Sequence, residues 1–191
     1  MPKLDREAIV SEALTLLDNI GLDAMSTRQL AKRLGVEQPS LYWHFRSKNA
    51  LFAAMAEAAM APHATMPLPA TPQDWREWFM ENWRSFRQTL LMHRDGARLH
   101  AGTNPKGSDF ARAVHKLEFL VASGLPEHEA RVAMLTANHF TIGSVLEEQA
   151  DTTEEDDDGP EMDYATTFDM GLAMIIDGLA QRTTRDMNPP S

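Results

Sequence analysis

The sequence predicts an all-α protein, with a three-helix helix-turn-helix head followed by a larger helical domain. Three observations predict it. No strand pattern occurs anywhere in the 191 residues, and apolar residues recur instead at helical spacing. The stretch STRQLAKRLGVEQPSLYWHFRSK, residues 26–48, holds two short helical patterns joined by a glycine break, which is a helix-turn-helix arrangement. A proline-bearing segment, 62–73, then separates this head from a second set of longer helical patterns.

The first helix starts at Asp5. Ile9, Ala13, Leu16, Leu17 and Ile20 form its apolar stripe and Gly21 stops it. Ser26 is an N-cap, with Gln29 three residues on completing a capping box. Leu30 and Leu34 share one face of the second helix, and Gly35 supplies its left-handed cap. Pro39 falls in the first turn of a third helix, where a missing N–H costs nothing. That helix runs to about His44, and Ser47 caps a fourth, Lys48 to about Ala61, which leads out of the head as a connector.

Pro62, Pro67, Pro69 and Pro72 mark 62–73 as linker. The fifth helix follows from Thr71-Pro72 to about Met92, with Trp75, Phe79, Phe86 and Leu90 in its stripe and Asn82 on the same face. An amide in such a stripe must find a partner, in the protein or in a ligand. A short helix begins at Asp95 and breaks at Gly102 and Pro105, with His100 and Thr103 flanking the break. The seventh, Ser108 to Ser123, carries Phe110, Val114, Leu117, Phe119 and Leu120, with Arg112 and Lys116 read as its solvated face. Pro126 opens the eighth, which runs to about Gln149 and is apolar on much of its circumference, as Val132, Met134, Leu135, Phe140, Ile142, Val145 and Leu146 show. Such a helix is buried on more than one side, so a homodimer interface is expected. His139, Gly143 and Glu147 look the same way along it. An acidic run, 151–163, reads as a loop. The last helix, Tyr164 to Gln181, should complete an antiparallel bundle with the eighth and a partner chain, with Gly171 and Gly178 allowing close approach.

Composition narrows the function. With 43% hydrophobic residues the chain can bury a substantial core, and with no cysteine it has no disulfide scaffold, thiolate metal site or Cys nucleophile. No long apolar run is present and MPKLDREAIV lacks a signal-peptide core, so a soluble cytoplasmic protein without membrane contact is expected. The net charge of −10 argues against nucleic acid until its distribution is considered. Residues 1–48 hold seven basic and six acidic side chains, so they carry +1 and the remainder −11. The chain is polarised, which favours local, specific DNA contacts over general adhesion.

The third helix carries the chemistry. Gln38 can read an adenine edge, and Pro39 or Ser40 can touch a thymine methyl. Tyr42, His44 and Lys48 can reach phosphates. Thr27, Arg28 and Trp43 are assigned to the same surface. The opposing reading has the aromatics packed beneath the second helix. For His100, Thr103, His139 and Glu147 a hydrolytic metal site is the competing reading; no HExxH or HxH spacing accompanies them and no activated hydroxyl is evident, so no enzyme is expected.

LGVEQPSLYWHFRSK resembles the recognition region of the tetracycline repressor family of bacterial regulators, and the resemblance continues through HRDGARLHAGTNP and ANHFTIGSVLEEQ to about Gln149. It implies a homodimeric repressor whose heads bind a palindromic operator until a magnesium-chelated tetracycline-like inducer spreads them, with a drug-efflux gene under its control. The positions that match make His100 the direct Mg2+ ligand, with Thr103 and Glu147 acting through metal-bound waters. Asn82, Phe86 and His139 match residues that hold the drug, with His63, Pro105 and Lys116 counted in the same site. Three departures stand out. Ala64 replaces a drug-binding histidine, with His63 adjacent; Asn104 replaces an arginine; and Lys116 replaces a glutamine that touches the drug. The acidic stretch is also shorter than the family's. The expected division is 1–48 for DNA binding, 48–61 as connector and 62–191 for ligand binding and dimerisation. The alternative inducer is a different small molecule, such as another chelating polyketide.

Overall fold

The computed structural model of the chain describes residues 4–70, 74–101, 108–151 and 163–186. Among these, every regular element is a helix. They are α1 (Arg6–Ala24), α2 (Thr27–Leu34), α3 (Gln38–Tyr42), α4 (Lys48–Ala59), α5 (Ala61–Ala64), α6 (Trp75–Leu91), α7 (Gly96–Ala101), α8 (Ser108–Ala122), α9 (Glu127–Ala150) and α10 (Tyr164–Asp186). The chain divides into two compact units, residues 1–64 with 88–104, and residues 65–87 with 105–191.

The first unit is written in its caps. Asp5, Ser26 and Ser47 accept from the backbone N–H three residues on, opening α1, α2 and α4. Ser26 Oγ also donates to Gln29 Oε1 at 2.6 Å, so the capping pair closes side chain to side chain. Gly35, at φ +67°, ends α2 in the left-handed conformation expected of it. Ile9, Leu17, Leu30, Leu41, Phe45, Leu51 and Met55 pack into one core beneath these helices, and Leu99 of α7 joins them. This unit therefore extends past the expected head and takes in 88–104.

Gly21 interrupts α1 where the sequence places its stop, with non-helical φ +76° and ψ 168°, and the chain resumes helical turns to Ala24. The fourth helix ends at Ala59 rather than Ala61, and Pro62 lies within the four-residue α5. Proline is tolerated there because a helix's first turn has no N–H partners to lose.

In the second unit α9 and α10 pair antiparallel. Tyr164 Oη donates to Asp151 at 2.6 Å at one end and Arg182 meets Glu129 at 3.6 Å at the other. Phe140 stacks on Phe168 with centroids 5.3 Å apart, and a Cβ on Gly171 would fall 2.5 Å from Phe140 Cζ. The close approach predicted at Gly171 is present. Gly178 faces open space within this chain, on the face the sequence assigns to a partner's approach. α10 runs past Gln181 to Asp186.

α8 corrects the sequence most. Arg112 and Lys116 do not form a solvated face; both are half-buried, and Arg112 donates to the Met66 carbonyl at 2.6 Å. His115 Nε2 lies 3.2 Å from the Pro69 carbonyl. The exposed side chains are instead Phe110 and Val114, which the apolar stripe had placed inside. The cause is the 66–69 segment, whose carbonyls need donors and receive them from the basic side of α8.

Candidate nucleic-acid interface and ligand-sensing residues

α3 is five residues long and buries one side chain, Leu41, at 3% exposure. Phe45, just beyond it, seals the same core. Everything else the sequence assigned to DNA lies toward solvent or at the edge. Trp43 is 90% exposed and Tyr42 46%, so the aromatics do not pack beneath α2. Both rings are therefore available to a partner on the outer side of α3. Pro39, Arg28 and Lys48 are exposed, while Thr27, Gln38, Ser40 and His44 are half-buried.

Two of these side chains are already oriented. Gln38 Nε2 donates to Thr27 Oγ1 at 2.9 Å, fixing the amide at the start of α3 from the start of α2. Lys48 Nζ donates to the Met25 carbonyl at 3.1 Å and lies 4.9 Å from the Phe52 ring centre. In this state Lys48 secures the turn between α1 and α2.

The segment before and within α7 is bound to α1 by polar contacts that sequence reasoning missed. Asp18 accepts from the Arg94 backbone N–H at 3.0 Å and lies 3.0 Å from His93 Nδ1. Asp95 Oδ2 accepts from the Leu22 N–H at 2.8 Å, beside the Gly21 kink. Arg98 bridges Asp23 and Asp95 at 2.8 and 3.0 Å. Asp23 sits below the usual carboxylate range, chiefly through its hydrogen bond from Arg98. Asp95 adopts φ +57°, and the only local hint is an Asp-Gly pair, which marks a turn but names no partner. His100, half-buried at the end of α7, lines a shallow crevice with Ala56, Ala59 and Met60 of the fourth-helix region, next to Leu99 in the head core.

In the second unit Asn82 and Phe86 are buried on α6, at 3% and 4% exposure. His139 and Glu147 are exposed on α9, with open space at Gly143 between them. An Arg87–Glu148 ion pair of 2.6 Å brings the turn of α6 bearing Phe86 beside the turn of α9 bearing Glu147. Lys116 is pushed down to about 8, first by burial and then by the Arg112 guanidinium. His63 is half-buried in α5. Thr103, Asn104 and Pro105 lie outside the described residues.

A short, outward-facing helix clamped in a helix-turn-helix head, together with a second all-helical unit, defines a one-component DNA-binding regulator. The comparisons narrow this. Residues 9–55 match the model of bacterial regulatory proteins of the tetR family, and residues 68–162 match the tetracyclin repressor-like C-terminal domain. The tetracycline repressor protein class A from transposon 1721 of Escherichia coli is 42% identical, over 95% of this chain and 93% of its own. A TetR-family transcriptional regulator of Streptomyces coelicolor, SCO0253, is 57% identical with TM-score 0.75, over 94% and 96% of the two chains. The class A repressor in complex with 5a,6-anhydrotetracycline and magnesium is 44% identical with TM-score 0.79, over 93% and 99%. The chain belongs to the tetracycline repressor family, and is a ligand-responsive transcriptional repressor with a helix-turn-helix DNA-binding head.

Proposed function

We propose that this repressor holds a palindromic operator as a homodimer and leaves it when a magnesium-chelated, tetracycline-like drug binds. The observation that carries the reading is the place of His100. It lies in the last turn of α7, whose Leu99 is in the head core and whose Arg98, with Asp95 just before the helix, is tied to α1. A ligand that pulls on His100 therefore works directly on α4 and α1. The drug need prefer the released state by only a few kcal/mol to empty the operator.

His100 would be the direct metal ligand, with Thr103 and Glu147 reaching it through water. One imidazole, one hydroxyl and one carboxylate are a poor set for a hard cation that prefers oxygen. Among the described residues no three His, Asp or Glu side chains converge as a ready-made site. The set fits magnesium once a chelating drug adds its own oxygens, so drug and metal bind together. Asn82, Phe86 and His139 would hold the drug's rings and polar edge, with His63, Pro105 and Lys116 at its far end. No residue is assigned a catalytic role. The family's namesake repressors guard drug resistance, and we read the regulated gene here as a drug-efflux gene and the compartment as the cytoplasm.

Dimerisation is assigned to α9 and α10. Val132 and Leu135 on one, and Met170 and Met174 on the other, stand 44%, 55%, 58% and 68% exposed. Two heads so joined would enter successive major grooves roughly 34–36 Å apart. Lys116 favours one variant of the reading, a chelating inducer other than tetracycline, because a half-buried ammonium replaces the neutral amide the family presents to the drug.

Magnesium–tetracycline titrated into the full chain tests the assignment. Of the four tryptophans, Trp75, Trp78 and Trp83 lie buried along α6 with Phe86, so their fluorescence should be quenched with magnesium and unaffected in EDTA. No response with magnesium makes the named inducer wrong. An equal response in EDTA makes the metal roles of His100, Thr103 and Glu147 wrong.

A further inference from the structure

We infer that Arg6 is a positioning residue for the recognition helix and sets how sharply the repressor discriminates its operator. Its guanidinium donates through Nη1 to the His44 carbonyl at 3.2 Å, across 38 residues of chain. The same group lies 4.4 Å from the centre of the Phe45 ring. His44 follows the last turn of α3, and Phe45 is 3% exposed in the head core. Arg6 thus joins the first turn of α1 to the residues that follow α3, from the outside.

The chemistry suits the place. The His44 carbonyl lies one residue beyond the C-cap Trp43, and a buried or half-buried carbonyl needs a donor, which the guanidinium supplies. A planar guanidinium can donate in its plane while its face covers a ring, a geometry an ammonium lacks. α3 needs such support because it is five residues long and buries only Leu41. At its start Gln38 is fixed by Thr27; at its end Arg6 fixes the backbone between Trp43 and Phe45. With both ends held, the base-reading side chains are presented already ordered, and specific binding avoids the entropy of ordering them. Random DNA, bound through phosphates alone, gains nothing from that order.

The inference rests on the operator-binding reading, and the two can fail separately. The full-length wild-type chain is first used to select its operator from a random duplex library. Selection of no sequence would sink the reading itself. Operator and random-duplex affinities are then measured across salt for Arg6→Ala and Arg6→Lys, with thermal melting alongside. For Arg6→Ala we expect operator affinity to fall about tenfold, random-duplex affinity to hold and the salt slope to stay that of wild type. Arg6→Lys, keeping the charge but not the planar stack, should recover part of the discrimination. Equal loss on both duplexes with a shallower salt slope would make Arg6 a phosphate contact and overturn the inference. Discrimination unchanged in both variants would overturn it too, whatever the melting temperature does. Should Arg6→Ala fail to fold, Arg6→Lys alone decides, by an operator-to-random ratio below or equal to wild type.

Discussion

The first unit and the α9–α10 pair of the second are held by different kinds of contact. In the first, side chains meet backbone. Asp5, Ser26 and Ser47 cap helices, Lys48 reaches the Met25 carbonyl, Asp18 and Asp95 receive backbone N–H groups, and Arg6 reaches the His44 carbonyl. In the second, α9 and α10 meet side chain to side chain, through stacked rings, Gly171 against Phe140, and the Tyr164–Asp151 and Arg182–Glu129 contacts at the two ends, while α9 begins at Pro126 with no side-chain cap. Directional contacts fix angles, and angles are what a recognition helix must control. Side-chain contacts between two helices hold the backbone less closely, and here they leave Val132, Leu135, Met170 and Met174 outside for a second copy. The difference teaches that the head is built for orientation and the helix pair for association.

The comparison breaks most severely at Gly96. A Cβ there would lie 2.1 Å from the Leu90 carbonyl oxygen, which is backbone and cannot swing aside. Gly96→Ala should therefore cost about 3 kcal/mol in urea unfolding and weaken operator binding with it. In the second unit, Gly171→Ala meets only the tip of the Phe140 ring and should cost about 1 kcal/mol. Equal costs would mean that α7 is no more tightly fixed than α10.

Binding chemistry should split along the same line. Glu147→Ala is expected to weaken magnesium–tetracycline binding about 10–100-fold, as loss of a water-held group does. His100→Ala should weaken it further, since it deletes the one direct protein ligand. Both should leave ligand-free operator affinity at the wild-type value. A smaller loss for His100→Ala than for Glu147→Ala would exchange their roles. In the head, Gln38→Ala should cost about 1–3 kcal/mol at one base pair and relax preference there. Equal losses on operator and random DNA would remove Gln38 as a base reader.

The smallest effect belongs to Lys116. Its folded pKa, about 8, lies below the ordinary lysine value. The folded state disfavours the ammonium, so folding carries a penalty when both states are charged. As pH rises through 8 toward the unfolded value, the unfolded chain binds more protons and stability climbs. Lys116→Gln should stabilise the protein at neutral pH by on the order of 1 kcal/mol, discounted for its partial exposure. It should also flatten the rise between pH 8 and 10.5. A steeper rise in the variant would assign that titration elsewhere.

The head was legible because its determinants are local. Ser26, Gly35, Pro39 and Ser47 each specify a cap or turn within a few residues of themselves, and the exposed set on α3 lies within 23 residues. What sequence reasoning missed acts at long range. Asp18 and Asp23 look like ordinary solvated carboxylates until α7 arrives 75 residues later. Arg6 looks like a first-turn charge. Arg112 and Lys116 followed helical periodicity onto a solvent face, but periodicity cannot foresee the 66–69 carbonyls that draw that side inward. Of the candidate ligand residues, Asn82 and Phe86 were legible as members of a buried stripe. His139 and Glu147 stand out by sharing one face of α9 and His100 by its helix break, but only the family resemblance joins them into one site.

Operator release tests the central claim most directly. A fluorescently labelled duplex bearing the selected operator is saturated with the full-length protein, and its anisotropy is followed as tetracycline is added with magnesium or with EDTA. The anisotropy should fall to the free-duplex value with magnesium and not with EDTA, and should not fall for His100→Ala under either condition. A wild-type complex that stays intact at saturating magnesium–tetracycline, or one released as readily in EDTA, would contradict it.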